Sequence, residues 1–238
     1  MNTAFSLSDP TASTRMHVVW DWNGTVKDDL DDHVAALNAT LPALGGTPVD
    51  RETYRAKHTV PIPNFYARLL GRPITEQEWI SSDNAFLDHL RIQPVRVREG
   101  AVELMTALHE AGHTQSLLSL CPHDTLVREV EEAGIGHFFE RVEGRTGLSG
   151  GTKAAPLAAH LQALGLTDQT WRVLLVGDAV DDADAAHANG TVAVLHTGGL
   201  HHPAELAAAG HPLTDTLADA VALGSRLIGA RATQLVCV

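Results

Sequence analysis

The chain has 238 residues, 44% hydrophobic and 19% charged, enough for one full domain plus a smaller insertion. A formal net charge of −12 argues against nucleic-acid backbones and anionic membranes as partners. No apolar run approaches the roughly 20 residues that span a bilayer, and two cysteines, Cys121 and Cys237, make no disulfide framework and fit a reducing cytoplasm.

Residues 1–15 are rich in Ser and Thr, with neither a basic start nor an apolar core, and read as a flexible tail rather than a signal peptide. A strand is expected over 16–21. Leu30, Val34, Leu37 and Leu41 recur at helical spacing and predict a helix over 27–44. Helices over 47–58, 62–70 and 75–91 follow, each preceded by Pro or a capping residue. A helix over 100–111 ends at Gly112, a strand covers 114–119, and a helix over 124–133 closes at Gly134. A short strand over 138–143 precedes a helix over 153–164, ended by Gly165. Then come a strand (172–177), a helix (179–188), a strand (191–196) and short helices over 203–209 and 214–223. Histidine is frequent, at 14, but scattered, and the adjacent pair His201-His202 reads as exposed loop residues.

Strands alternate with helices from residue 100 onward, which argues for βαβ units and a parallel sheet. Residues 27–98 hold helices and no clear strand. The expected fold is α/β: a three-layer, Rossmann-like parallel-sheet core over 16–26 and 99–226, with an all-helical cap inserted over 27–98.

Two stretches carry the chemistry. The apolar run His17-Val18-Val19-Trp20 leads directly into Asp21-Trp22-Asn23-Gly24-Thr25-Val26, placing Asp21 at the carboxyl end of a buried strand, where open α/β sheets bind ligands. Far downstream, Val173-Leu174-Leu175-Val176-Gly177-Asp178 is a second such strand, with Asp181, Asp182 and Asp184 after it. Two strands that deliver carboxylates to one sheet edge suggest a divalent metal beside a nucleophile.

The order of these parts resembles the haloacid dehalogenase-like hydrolases, in particular the phosphoglycolate-phosphatase-like members with a helical cap. The resemblance covers nearly the whole chain. It rests on the Asp21–Val26 motif, on Ser119 at a strand end, on Lys153 opening a helix after Gly150-Gly151-Thr152, and on Gly177-Asp178 with Asp182. It implies an Mg²⁺-dependent phosphatase of a small phosphorylated metabolite. Asp21 would attack phosphorus to form an aspartyl-phosphate. Magnesium would be held by Asp21, the Asn23 backbone carbonyl and Asp178, with support from Asp182. Ser119 and the backbone after Asp21, at Gly24 and Thr25, would bind phosphoryl oxygens, and Lys153 would neutralise developing charge. Trp22 is expected to pack under the cap.

One position departs from that family. Its phosphatases carry an acid/base Asp two residues after the nucleophile, and here stands Asn23. An amide cannot exchange a proton usefully, a loss of roughly 10²–10⁴-fold. Either the leaving group needs no acid, or the cap or the substrate supplies the proton, or the protein binds phosphate with little turnover. Phosphonoacetaldehyde hydrolases are similar at this motif and use a cap lysine as a Schiff base, for which Lys57 is the candidate. Substrate choice should lie in the cap, where Arg51, Arg55, Lys57, His58, Tyr66, Arg68 and Arg72 form a basic and aromatic cluster suited to a small anion. Ala-rich helices near the C-terminus could pack on a second copy as a homodimer.

Overall fold

The structure is a computed structural model that describes residues 15–148 and 151–236. The tail expected at residues 1–15 therefore lies, Arg15 apart, outside the described residues, as do Gly150 and Cys237.

The strands are β1 (His17–Trp20), β2 (Thr114–Pro122), β3 (Val142–Arg145), β4 (Val173–Gly177), β5 (Val192–His196) and β6 (Leu213–Thr214). They form one sheet in the order β3-β2-β1-β4-β5-β6 with every pairing parallel. This is the doubly wound order, and its switch point lies between the strands on either side of the reversal, β1 and β4. Strand periodicity sends Val18, Trp20, Leu174 and Val176 to one face, and Val19, Val173 and Leu175 to the other. Apolar on both faces, these strands can only be central.

Four helices follow β1: α1 (Leu30–Thr40), α2 (Arg51–Lys57), α3 (Ile62–Leu70) and α4 (Glu76–Arg91). Then come α5 (Ala101–Glu110), α6 (His123–Glu132), α7 (Ala154–Ala163), α8 (Val180–Ala188), α9 (Pro203–Ala208) and α10 (Leu217–Val236). Helices α5, α6 and α10 pack on the first sheet face and α7 and α8 on the second, giving three layers.

Helix starts follow local chemistry. The Asp50 side chain accepts the Thr53 N–H at 2.8 Å, so α2 begins at Arg51 and not at 47. Thr75 and Glu78 cap α4 reciprocally. Helix α1 starts at Leu30 rather than 27 because the preceding residues pair with the returning chain. There the Asp28 N–H donates to the Arg96 carbonyl and the Arg98 N–H to that of Val26, both at 2.8 Å. The chain thus leaves and re-enters the core on two antiparallel linkers. Between them, Leu30, Leu37, Leu41, Tyr54, Phe65 and Tyr66 form a separate apolar cluster, joined from the core side by Leu200.

Two expectations are corrected. The short strand starts at Val142, because Phe138 is turned into the core by a 3-10 turn over Gly136–Phe138. The C-terminal helix is also longer than read, running to Val236 through Gly224 and Gly229. A Cβ at Gly224 would lie 2.5 Å from Leu174, so this glycine allows close helix–sheet packing rather than ending the helix. The buried face of α10 is consumed in its own core through Leu217, Ala220, Val221 and Ile228. No helix among the described residues is long and apolar enough to cross a membrane.

Candidate active site

The carboxyl ends of β1 and β4 are level. Trp20 pairs with Val176, and the Asp21 N–H donates to the Val176 carbonyl at 3.0 Å. Asp21 and Asp178 therefore emerge side by side at the switch point. With Asp182 from the first turn of α8 they form a buried trio, each offering a carboxylate oxygen within 4.8 Å of the others. The neighbouring backbone must be bare for this. Gly24 has φ +73°, and a Cβ there would lie 2.6 Å from Asp178 Oδ2.

Lys153, at the N-cap of α7, reaches into this trio. Its Nζ donates to Asp21 Oδ1 at 2.6 Å and also to Asp182 Oδ1. The Lys153 backbone is fixed by its N–H donating to Asp181 Oδ2 at 2.8 Å, so Asp181 holds the backbone that presents the lysine. Asp182 Oδ2 also accepts the Ala179 N–H at 3.0 Å. With both oxygens engaged by the protein, Asp182 serves Lys153 more directly than a metal.

Three carboxylates around one ammonium are short of positive charge. Burial pushes Asp21 up to about 8; Lys153 opposes that shift, and Asp182 and Asp178 add to it. Burial, with Asp182, pushes Asp178 up to about 6. Burial alone would lower Lys153, but Asp182 and Asp21 outweigh it and hold it above its ordinary value. A hard, all-oxygen donor set lacking a counter-charge fits Mg²⁺. Asp21 and Asp178 would hold the ion, with the Asn23 carbonyl.

The structure places the remaining candidates as follows. Ser119 is buried at the same sheet edge and faces the cavity above Asp21; its Oγ accepts the Cys121 N–H at 3.1 Å. Thr25 is fully buried, and its hydroxyl is shared between Asp21 Oδ2 at 3.2 Å and Asp178 Oδ1 at 3.1 Å. It therefore orients carboxylates and does not reach substrate. The Gly24 N–H likewise donates to Asp29 Oδ1 at 2.8 Å, away from any phosphate. Cys121 lines the cavity, but burial pushes its thiol up to about 12, so it offers no nucleophile.

The basic cluster does not assemble. Arg55 donates to the backbone carbonyls of His201 and Thr197, clasping the helical segment to the core instead of facing substrate. Arg51 pairs with Asp31, Arg68 with Glu205 and Arg72 with Glu78. Lys57 is exposed and outside the cavity wall. The lysines that do line the cavity, among the described residues, are Lys27 and Lys153, so a Schiff base on Lys57 has no geometric support. Only His58 and Tyr66 of the cluster face the cavity. Trp22 is buried in the core cluster, not under the helical segment, and its Nε1 donates to Glu129 Oε2 at 2.7 Å. His201 is only 4% exposed, contrary to its reading as an exposed loop residue.

Sequence reasoning missed a second polar group beside the first. Asn23 Nδ2 donates to Asp29 Oδ2 at 2.6 Å, and His33 Nε2 lies 3.3 Å from the same oxygen. Buried Lys27 sits 3.7 Å from Asp29 and 2.8 Å from Glu129. Burial would raise Asp29, but His33, Lys27 and the Asn23 amide hold it down at about 2.

This contact predicts the outcome of Asn23→Asp. A carboxylate would then face ionised Asp29 where a hydrogen bond now stands, and one of the two must take a proton. The variant should lose about 2–4 kcal/mol of stability at pH 8. The shared carboxyl has a raised folded pKa, so the deficit shrinks as pH falls towards 5 and grows as it rises. Thermal melts across pH check this, and Asn23→Asp/Asp29→Asn should recover the loss. An unchanged melting temperature for the single variant at pH 8 would refute the contact.

Comparison with known proteins meets this geometry. A haloacid dehalogenase-like hydrolase family model matches residues 16–190. The chain is 26% identical over 222 residues to a phosphoglycolate phosphatase of Aliivibrio fischeri, covering 86% of this chain and 90% of that one. It is 27% identical over 194 residues to one of Chromobacterium violaceum, covering 74% and 82%. A predicted phosphatase from Clostridium acetobutylicum has a similar fold, with TM-score 0.76 at 17% identity over 87% of this chain and 96% of that one. So does a CbbY mutant from Rhodobacter sphaeroides solved with xylulose-(1,5)bisphosphate, with TM-score 0.67 at 19% identity over 86% and 96%. The family match spans both strands that deliver the aspartates and the lysine between them, and on that ground the chain belongs to the haloacid dehalogenase-like hydrolases.

Proposed function

We propose that this hydrolase is an Mg²⁺-dependent phosphatase that cleaves a small phosphomonoester through an aspartyl-phosphate on Asp21. The observation that carries the reading is the contact of Lys153 Nζ with Asp21 Oδ1, 2.6 Å apart, in a three-carboxylate cluster on the wall of a cavity. The phosphoglycolate phosphatases among its relatives support it.

Bound magnesium would offset the negative charge of carboxylates and phosphate. Asp21 supplies the attacking oxygen, oriented by Lys153 on one oxygen and Thr25 on the other. Lys153 screens the phosphoryl group as it transfers, and Asp182 keeps that ammonium in place. The Ser119 oxygen already accepts from the backbone, so its proton is available to a phosphoryl oxygen. The helical segment between the two linkers covers the site and restricts water.

Incubation of the purified protein with phosphomonoesters should release phosphate with Mg²⁺ and lose at least about 99% of that rate in EDTA. EDTA-insensitive release would overturn the metal's role. No release from any ester, with Mg²⁺ still raising the melting temperature, would favour a protein that binds phosphate without turning it over.

A further inference from the structure

The cavity above Asp21 is too large and too apolar for a two-carbon acid. Its volume is about 450 Å³, within the range of roughly 300–1,000 Å³ seen for drug-sized ligands. Its far wall is built of rings. Tyr54 stacks on His58 at 5.4 Å and 17°, His58 meets Phe65 edge-on at 5.1 Å, and His33 meets Phe86 edge-on at 5.3 Å.

The wall holds no spare cation among the described residues. Lys27 is committed to Glu129 at 2.8 Å, Lys153 to Asp21 and Asp182, and Arg145 to Asp83 at 3.4 Å. His33 is set beside Asp29, and the imidazoles of His58 and His201 do not substitute. Burial keeps His58 well below its ordinary value and His201 down at about 4, so both are neutral at pH 7. A second anionic group such as a carboxylate would enter this cavity unpaired, at a cost of several kcal/mol.

The acid/base position adds a chemical constraint. Asn23 is an amide whose nitrogen is tied to Asp29, so the position two residues after the nucleophile has no acidic proton to give a leaving group. A leaving group that departs unprotonated suits such a site, and a phenol, with a pKa of about 10, does so far more easily than an alkyl alcohol.

Resting on the phosphatase reading above, we infer that the substrate is an aryl phosphate: the phosphate ester of an uncharged, ring-sized phenol. Asp21 forms a bond to phosphorus as the phosphorus–aryl oxygen bond breaks. The electron pair leaves on the phenolate, which solvent protonates. Water then attacks phosphorus, the Asp21–phosphorus bond breaks to restore the carboxylate, and the proton released departs with the phosphate.

The test compares 1-naphthyl phosphate with phosphoglycolate in Mg²⁺. Calorimetric titration of Asp21→Asn measures binding apart from turnover, and competition between the two esters on the wild-type enzyme repeats the comparison without the substitution. Burying the naphthyl ring should make its Kd about 100-fold lower than that of phosphoglycolate. Equal or tighter binding of phosphoglycolate, or binding of neither ester in either protein, overturns the inference. Tight naphthyl phosphate binding with no turnover of any ester by the wild type would uphold the cavity's ligand class while overturning the phosphatase reading.

Discussion

Asp21→Asn is expected to lower phosphate release by on the order of 10⁴-fold or more. The amide keeps the shape of the side chain but is neutral and a far weaker nucleophile than a carboxylate, so no aspartyl-phosphate forms. The fold should not suffer. Asp21 is one of three buried carboxylates around a single ammonium, and its pKa is pushed up to about 8, a sign that its charge is poorly tolerated. Removing it relieves repulsion with Asp178 and Asp182 while Lys153 keeps Asp182. The melting temperature in EDTA should therefore hold or rise, as expected where function is maintained against stability. Rapid-quench detection of an acid-stable, hydroxylamine-labile phosphoprotein in the wild type, absent in the variant, completes the test. Residual turnover within 100-fold of wild type would exclude Asp21 as the nucleophile.

Lys153→Met carries the largest expected effect on stability. The side chain is 4% exposed and donates to two carboxylates. Methionine fills most of the volume but leaves Asp21, Asp178 and Asp182 without a cation in a buried site. Breaking a buried pair by removing one partner costs about 3–5 kcal/mol, which for a chain of this size is a fall of about 6–20 °C in melting temperature in EDTA. Saturating Mg²⁺ should restore a large part of this, since the ion supplies the missing positive charge to the same oxygens. Activity should still fall by about 10²–10³-fold in Mg²⁺, because the ion does not replace an ammonium aimed at the transferring group. Scanning calorimetry with and without Mg²⁺ separates the two effects. A variant as stable as wild type in EDTA would mean that the trio is protonated and needs no counter-charge.

The sheet was legible because its signals are local. Each strand is a short apolar run, each crossover helix ends at a glycine, and alternation from residue 100 onward leaves little choice but a parallel sheet. Asp21 and Asp178 were legible for a related reason, while Ser119, Lys153 and Asp182 were legible through the family resemblance. In an open α/β sheet the carboxyl ends of all strands face one crevice, so residues at strand ends meet whatever their separation in the chain. The length of α10 was not legible, because the glycine at 224 is dictated by the approach of Leu174, a residue 50 positions away in the chain.

The covering helices show where such reading stops. Arg55, Lys57 and the neighbouring cations are adjacent in sequence, yet none faces the cavity, since a helix turns successive side chains to different sides. Their partners, the carbonyls of His201 and Thr197 for Arg55 and the carboxylate of Glu205 for Arg68, lie in the far part of the chain. His201 looks like a loop residue by composition and is buried where His58, at the end of α2, meets its ring edge-on and Arg55 of α2 holds its carbonyl. The sheet, the strand-end chemistry and the substitution at position 23 can be read from the residues alone, because they depend on periodicity and on which residue follows a strand. What Asn23 touches, which cations are already paired and how apolar the cavity is emerge only on folding. Those are properties of long-range packing, in which each side chain's charge and exposure are set by partners the chain brings in from a hundred residues away.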